Sequence, residues 1–344
     1  MKGILYYILR AYVQLGLRFY FSSYKVYGTE NIPKKGAIIF TANHQNAFLD
    51  ALVIVGKNER ITHFLARAEV FKKPFFKWLM SLINMMPIYR IRDGWNTLNN
   101  NEEIFKACHN ILASKKALLI FPEGNHGFER RLRPLSKGFT RIAFGTLTEQ
   151  PDLDLKIIPV GINYHNHREF RTRVSIHFGK AIDVQPFYTN SDDHNASLKL
   201  RNAISAQMEK LIVHIPEDEY DIKFSQLIKM NPDFSNLLAC RDLMENLSST
   251  DGTSSVEKEK QGSFLYYFFR FYYLLPLQLW KIIASRIKDP VMLASIKFSI
   301  GIFVFPVFLF LQSFLVQIIF MEMSISLVYF LIGLILPLLI NNRA

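Results

Sequence analysis

Cysteine is nearly absent: the 344 residues hold two, Cys108 and Cys240, far apart and neither in a Cys-x-x-Cys pair. That spacing excludes a disulfide framework and a thiolate metal site, and it fits two free thiols in a reducing compartment. Acid is also scarce, with 29 Asp and Glu against 41 Lys and Arg, so the formal net charge is +12. This balance suits an anionic partner: nucleic acid, an anionic membrane or a phosphorylated substrate. No RNP-type aromatic motif, zinc-finger spacing or basic-region heptad is visible, which argues against nucleic acid. "GKNERITHF" contains no P-loop, and no internal repeat is apparent. In "YHNHREF", His165 and His167 have metal-like spacing, but no Asp, Glu or Cys nearby completes a ligand set, so no metal is expected.

The N-terminal segment lacks a long uncharged run. Lys2, Arg10, Arg18 and Lys25 interrupt it, leaving Gly3 to Leu9 and Ala11 to Leu17 as its longest uncharged stretches. Neither approaches the roughly 18–20 residues that span a bilayer, and no small-residue cleavage site follows. Residues 1–25 therefore read as an interfacial amphipathic helix, with a helix packed on the rest of the domain as the alternative.

Apolar residues, by contrast, are abundant. Half of the chain is hydrophobic and it holds 30 Phe, so contact with a lipid bilayer is expected. "NLSSTDGTSSVEKEKQG" is rich in Ser, Thr, Gly and charge, and residues 246–262 read as a linker. Beyond it, "SFLYYFFRFYYLLPLQLW" reads as an interfacial aromatic helix. Phe298 to Phe320 then runs 23 residues without charge, and Met323 to Ile340 runs 18, with Glu322 between them. Residues 263–344 thus end in a transmembrane helical hairpin, with a buried soluble hairpin as the alternative. Lys281, Arg286, Lys288 and Lys297 precede the pair and Arg343 follows it, which puts both flanks on the cytoplasmic face.

From Gly36 to Asp183, short buried strands alternate with helical patterns. "GAIIFTAN", "ITHFLARAEV", "PIYRI", "ALLIFPEG", "LKIIPVGINY" and "RVSIHFGK" carry strands. "FKKPFFKWLMSLINMM", "LNNNEEIFKACHNILASKK" and "SKGFTRIAFGTLTE" carry helical periodicity. The expectation is an α/β domain over residues 26–245, a mixed sheet flanked by helices with a helical extension.

Four pieces of this segment carry chemistry. In "NHQNAFLD", His44 leaves a strand at the edge where α/β sheets place their sites, and Asp50 follows it. A carboxylate on the far imidazole nitrogen would make His44 a general base for a hydroxyl supplied by the substrate. A loop histidine followed by an Asp that caps the next helix is the bland alternative. In "MPIYRIRDG", Arg90 and Arg92 follow a short strand. In "FPEGNHGFERRLRPLSKGF", Glu123 leaves a strand on a Glu-Gly turn, and Arg130, Arg131, Arg133 and Lys137 follow; these are phosphate ligands or a solvated basic loop. His126 in the same stretch is a weaker candidate for contact with the acceptor. In "IIPVGINY", Pro159 is expected just after a buried strand.

In this order, "NHQNAFLD", "PIYR", "FPEG" and "IPVGINY" resemble the motifs of the glycerolipid acyltransferase family, from about Val26 to Asp183. The resemblance implies O-acyl transfer to glycerol 3-phosphate or 1-acyl-glycerol 3-phosphate. The co-substrate is acyl-CoA or acyl-carrier protein, with no cofactor and no metal. It also implies His44 as base and Asp50 as its orienter. Arg90, with Lys137 or Arg133, would bind the acceptor phosphate. Glu123 and Gly124 would shape the acceptor site and Pro159 the acyl-donor side. Two other readings stay open: an acyltransferase for another lysolipid, and a catalytically silent lipid-binding protein.

Two positions depart from the family pattern. Five residues separate His44 from Asp50 where four are usual, which is similar to fungal glycerol-3-phosphate acyltransferases. Neither spacing returns to one helix face at about 100° per residue. His44 must therefore sit in the turn before the helix, with the extra residue taken up as a bulge near Leu49. The second departure is Met85, which stands where a glycine is common five residues before Arg90.

Overall fold

The computed structural model describes residues 2–67, 71, 74–88, 99–189, 194–246 and 264–339. Helix α1 (Lys2–Tyr20) leads into β1 (Ser23–Tyr27), β2 (Ala37–Ala42), α2 (Phe48–Lys57) and β3 (Thr62–Arg67). These are followed by α3 (Pro74–Leu82), β4 (Met85–Ile88), α4 (Asn99–Ala113), β5 (Ala117–Ile120) and α5 (Gly138–Glu149). Next come β6 (Leu155–Tyr164), β7 (Arg173–Phe178), β8 (Ile182–Asp183), α6 (His194–Glu209), α7 (Tyr220–Lys229) and α8 (Leu237–Glu245). The C-terminal part is α9 (Phe264–Tyr272), α10 (Leu274–Ala284), α11 (Met292–Phe320) and α12 (Met323–Leu339).

The strands form one sheet in the order β1-β7-β6-β2-β5-β3-β4, with β8 also on β6. β2 is parallel to both β5 and β6, while β6 is antiparallel to β7 and β8. This is the expected mixed sheet flanked by helices. Strand β2 is central and all six of its residues are buried, which is why "AIIFTA" reads as a continuous run instead of an alternation. Ile38, Phe40 and Ala42 face one core, shared with α1, α2 and α11. Ala37 and Ile39 face the other, shared with α4, α5 and α6.

Helix α2 is buried along Leu49 to Gly56. Val53, Ile54 and Val55 favour strands by intrinsic preference. Enclosure between the sheet, α1 and α11 makes them helical, a case of tertiary context overriding propensity.

Several boundaries differ from the sequence expectation. The strand in "MPIYRI" begins at Met85, which is buried in register with Phe64 of β3. Pro159 lies inside β6 instead of after it. Its side of β6 pairs β8 at Lys156 and Ile157 and β7 from Val160 onward, so the missing N–H falls in the gap between the two partners. There the Pro159 carbonyl accepts from Gly179 N at 2.8 Å. Strand β1 crosses the 25/26 boundary, so the sheet begins earlier than residue 26.

The terminal helices join the α/β core. Leu17 and Tyr20 of α1 and Ala294, Phe298 and Ile302 of α11 belong to the same buried cluster as Phe40 and Leu49. Gly16 allows this approach, because a Cβ there would meet Ile302 Cγ2 at 2.5 Å. The other face of α1 exposes Ile4, Tyr7, Ile8 and Leu15. Helix α11, 29 residues, is long and apolar enough to cross a membrane; α12 is a shorter apolar helix of 17 residues. Both expose a continuous apolar band, including Phe310, Phe314, Ile318, Leu327 and Leu331, of the kind that marks a membrane or partner surface. The linker expected at 246–262 lies outside the described residues from 247 onward.

Candidate active site

The turn between β2 and α2 wraps around one carboxylate. Asp50 sits in the first turn of α2. Side chains on a helix lean toward its N-terminus, so the carboxylate points back at the turn, where free N–H groups and the helix dipole favour an anion. Asp50 Oδ2 accepts from the backbone N–H groups of Gln45 and Asn46, each at 2.7 Å. The same oxygen lies 2.8 Å from His44 Nδ1. Asp50 Oδ1 accepts from the Tyr164 hydroxyl at 2.9 Å. Burial and the neighbouring carboxylate push the Tyr164 phenol well above its ordinary range, so it stays a donor. Asp50 is fully buried, whereas the His44 side chain keeps 16% of its surface exposed.

His44 therefore precedes the helix, as the six-residue step requires. The extra residue is accommodated at Ala47, not at Leu49. Ala47 has φ 47° and ψ −125°, a conformation that a non-glycine residue adopts only under constraint. Leu49 has no freedom to bulge: it is 1% exposed, and its N–H bonds Asn46 O and Ser295 Oγ. Asn43 pins the start of the turn to β6, with Nδ2 donating to Ile162 O at 3.0 Å and Oδ1 accepting from Ile162 N at 2.7 Å.

The Glu-Gly turn after β5 forms the opposite wall. The His44 ring stacks on Phe121 with centroids 4.1 Å apart and planes 17° apart. Glu123 is buried, accepts from His44 N at 3.3 Å and pairs with Arg133. Burial pushes the Glu123 carboxyl up to about 7, a shift that Arg133 and the His44 N–H only partly offset. Gly124 holds φ +74°, and a Cβ there would meet nothing within 4 Å, so its backbone faces open space.

The basic run divides among different partners. Arg133 donates to Glu123, to Asn125 Oδ1 and O, and to His44 O. It straps the two turns together, with one Nη1 N–H uncommitted among the described residues. Arg130 is buried against Phe234 and donates to the Tyr164 and His165 carbonyls at 3.0 Å each. Arg131 pairs with Glu129 and Glu217. Lys137 is exposed at the N-cap of α5, with Nζ 3.1 Å from His194 Nδ1. Arg90 and Arg92 lie outside the described residues. His126 lies 5.5 Å from His44 between ring centroids and 3.5 Å from Asp289.

The sequence reading missed Tyr164, Phe121 and Ser295. Tyr164 was legible in principle, since strand alternation in "IPVGINY" puts it on the face of Ile158, Val160 and Ile162, toward Phe40 and Leu49. Ser295 carries no local signal.

An apolar cavity of about 740 Å³ lies elsewhere, between α1 and α9 to α12, lined by Tyr12, Gly16, Tyr273, Phe298, Phe305 and Pro337 among others. It includes none of His44, Asp50 or Glu123. Among the described residues no three His, Cys, Asp or Glu side chains cluster to hold a metal ion. Both cysteines are buried away from the site, and no hydroxyl side chain bonds the His44 ring among the described residues. A carboxylate-oriented histidine without a protein nucleophile is equipped for general-base chemistry on a hydroxyl brought by a substrate.

The comparisons agree with that class. A family model described as Acyltransferase matches residues 23–163. Over 107 residues the chain is 31% identical to glycerol-3-phosphate O-acyltransferase 1 of Saccharomyces cerevisiae, covering 30% of this chain and 14% of that protein. Over 168 residues it is 27% identical to 1-acyl-sn-glycerol-3-phosphate acyltransferase BAT2, chloroplastic, of Brassica napus, covering 46% of each chain. It also resembles the crystal structure of the 1-acyl-sn-glycerophosphate acyltransferase PlsC from Thermotoga maritima, with a TM-score of 0.45 and 23% identity over 60% of this chain and 78% of that one. The chain spans less than half the length of the curated relatives it matches. Residues 23–163 thus match an acyltransferase domain and are similar to the corresponding part of glycerolipid acyltransferases.

Proposed function

We propose that the protein is a membrane-bound O-acyltransferase. It moves a fatty acyl group from acyl-CoA or acyl-carrier protein to glycerol 3-phosphate or 1-acyl-glycerol 3-phosphate. The observation that carries the reading is the 2.8 Å contact between His44 Nδ1 and the buried Asp50 carboxylate, made from a turn rather than a helix face. Asp50 keeps the proton on Nδ1, leaving Nε2 as the base.

Nε2 takes the proton of the acceptor hydroxyl as its oxygen bonds to the thioester carbonyl carbon. The tetrahedral intermediate collapses, the C–S bond breaks, and the leaving thiolate takes the proton back from Nε2. Asp50 stabilises the imidazolium in between. The Tyr164 hydroxyl and the two backbone N–H groups hold Asp50 in place. Arg90 and Lys137, with the uncommitted N–H of Arg133, bind the acceptor phosphate and so position the hydroxyl. Glu123 and Gly124 shape the acceptor side and Pro159 the donor side. The exposed face of α1, with Ile4, Tyr7, Ile8 and Leu15, lies in the bilayer interface, and the C-terminal pair of helices anchors the chain with its site on the cytoplasmic face.

The test is acyl transfer from acyl-CoA, and separately from acyl-carrier protein, to glycerol 3-phosphate and to lysophosphatidate, in membranes carrying wild type or His44→Ala. Transfer to at least one of the two acceptors by wild type alone supports the reading. Equal activity in both membranes on every lipid acceptor sinks it.

A further inference from the structure

The C-terminal helices enter the sequence as an anchor, yet α11 reaches the catalytic turn. Ser295, in the first turns of α11, is 2% exposed. Its hydroxyl donates to Asn46 O at 2.6 Å and accepts from Leu49 N at 2.8 Å. These two backbone groups flank Ala47, whose φ of 47° is the constrained position of the turn. Leu49 N also approaches Asn46 O at 3.1 Å, so the Ser295 hydroxyl adds a second closure to the same loop. On the inner side of that loop, the N–H of Asn46 bonds Asp50 Oδ2 at 2.7 Å. The turn is thus held from within by the Asp50 carboxylate and from without by one hydroxyl of α11.

The rest of the contact fixes α11 against the domain. Tyr20 packs edge-on against Phe298 with centroids 5.5 Å apart, and Lys297 Nζ donates to Arg168 O at 2.6 Å. Asp289, just before α11, lies 3.5 Å from His126 Nε2. Ser295 is therefore presented by a rigid, multiply docked element.

We infer that Ser295 is a positioning residue for the His44–Asp50 pair, and that α11 is a structural part of the active site as well as an anchor. A strained turn is kept only where its surroundings over-determine it, and a buried hydroxyl that serves one carbonyl and one N–H supplies that determination. The hydroxyl reaches the chemistry through Asn46 and Leu49; it touches no substrate. This inference rests on the acyltransferase reading for its kinetic test, and on geometry alone for its exchange test.

Full-length Ser295→Ala, Ser295→Val and Ser295→Thr are compared in membranes, with rates expressed per folded molecule. Val and Thr have nearly the same shape and differ in the hydroxyl, so their comparison separates hydrogen bonding from packing. Loss of the hydroxyl in Ala and Val is expected to lower kcat about tenfold or more, with KM for acyl-CoA and for the acceptor within about twofold, because the interaction acts on the reacting geometry and not on binding. Thr is expected to restore kcat. Ser299→Ala, one turn further on, where the hydroxyl bonds, among the described residues, only Ser295 O of its own helix at 2.9 Å, keeps the wild-type rate. Independently of activity, amide hydrogen exchange across residues 46–50 is faster in Ala and Val than in wild type and Thr. Equal kcat in Thr and Val, or wild-type kcat in Ala, overturns the inference. If wild type proves no more active than His44→Ala, the acyltransferase reading has failed, and unchanged exchange across residues 46–50 in Ala would then overturn this inference separately.

Discussion

Replacing Asp50 with Asn probes the pair at its electrostatic centre. The carboxylate accepts four hydrogen bonds, from Gln45 N, Asn46 N, His44 Nδ1 and the Tyr164 hydroxyl. An amide can keep its oxygen at the Oδ2 position, facing three of those donors, and turn its NH₂ toward Tyr164. The turn then survives, but the imidazolium formed during catalysis faces a neutral group. At the observed 2.8 Å and an effective dielectric constant of about 20, the lost charge–charge attraction is about 6 kcal/mol. The amide keeps a neutral hydrogen bond worth about 1 kcal/mol. Since about 1.4 kcal/mol is a factor of ten in rate, kcat should fall by about two to four orders of magnitude, the lower end allowing for water at the partly exposed ring. KM for either substrate changes little, because the effect belongs to the transition state. The assay is steady-state acyl transfer by Asp50→Asn, with thermal unfolding to confirm the fold. If Asp50→Asn works within threefold of wild type while His44→Ala is inactive, the orienting role given to Asp50 is wrong.

Two further outcomes follow from the same site. Ala47→Gly removes the restraint on a residue at φ 47° and should stabilise the protein by about 1 kcal/mol, raising its midpoint by about 2 °C; a lower midpoint in a thermal melt would show that the turn is not strained there. Glu123 holds its proton in the folded state up to about pH 7 against an ordinary value of 4.5. Its contribution is then complete below about pH 4.5 and is lost as pH rises through about 7. The unfolding midpoint of Glu123→Gln should accordingly depend less on pH across that window than wild type, and an unchanged pH slope would count against it.

Much of the architecture was legible along the chain. Strand–helix alternation from Gly36 to Asp183 gave the mixed α/β domain, because burial periodicity is a local property of each element. The long uncharged runs marked α11 and α12 for the same reason. At the site, "NHQNAFLD" and "FPEG" named His44, Asp50 and Glu123. The six-residue step also required His44 to precede the helix, since no helical geometry brings those two positions to one face.

The tertiary structure decided what lies across the fold. The Tyr164 hydroxyl meets Asp50 from 114 positions away. Arg133, 89 positions from His44, becomes a strap rather than a free cation. The bulge falls at Ala47 because Leu49 is locked in the core and bonded to Ser295, 246 positions later in the chain. Pro159 is accepted inside β6 because two different strands leave a gap beside it. Spacing and composition report what a segment does with its own neighbours, whereas these partners meet only once the sheet order and the docking of α1 and α11 are fixed by burial of the shared core.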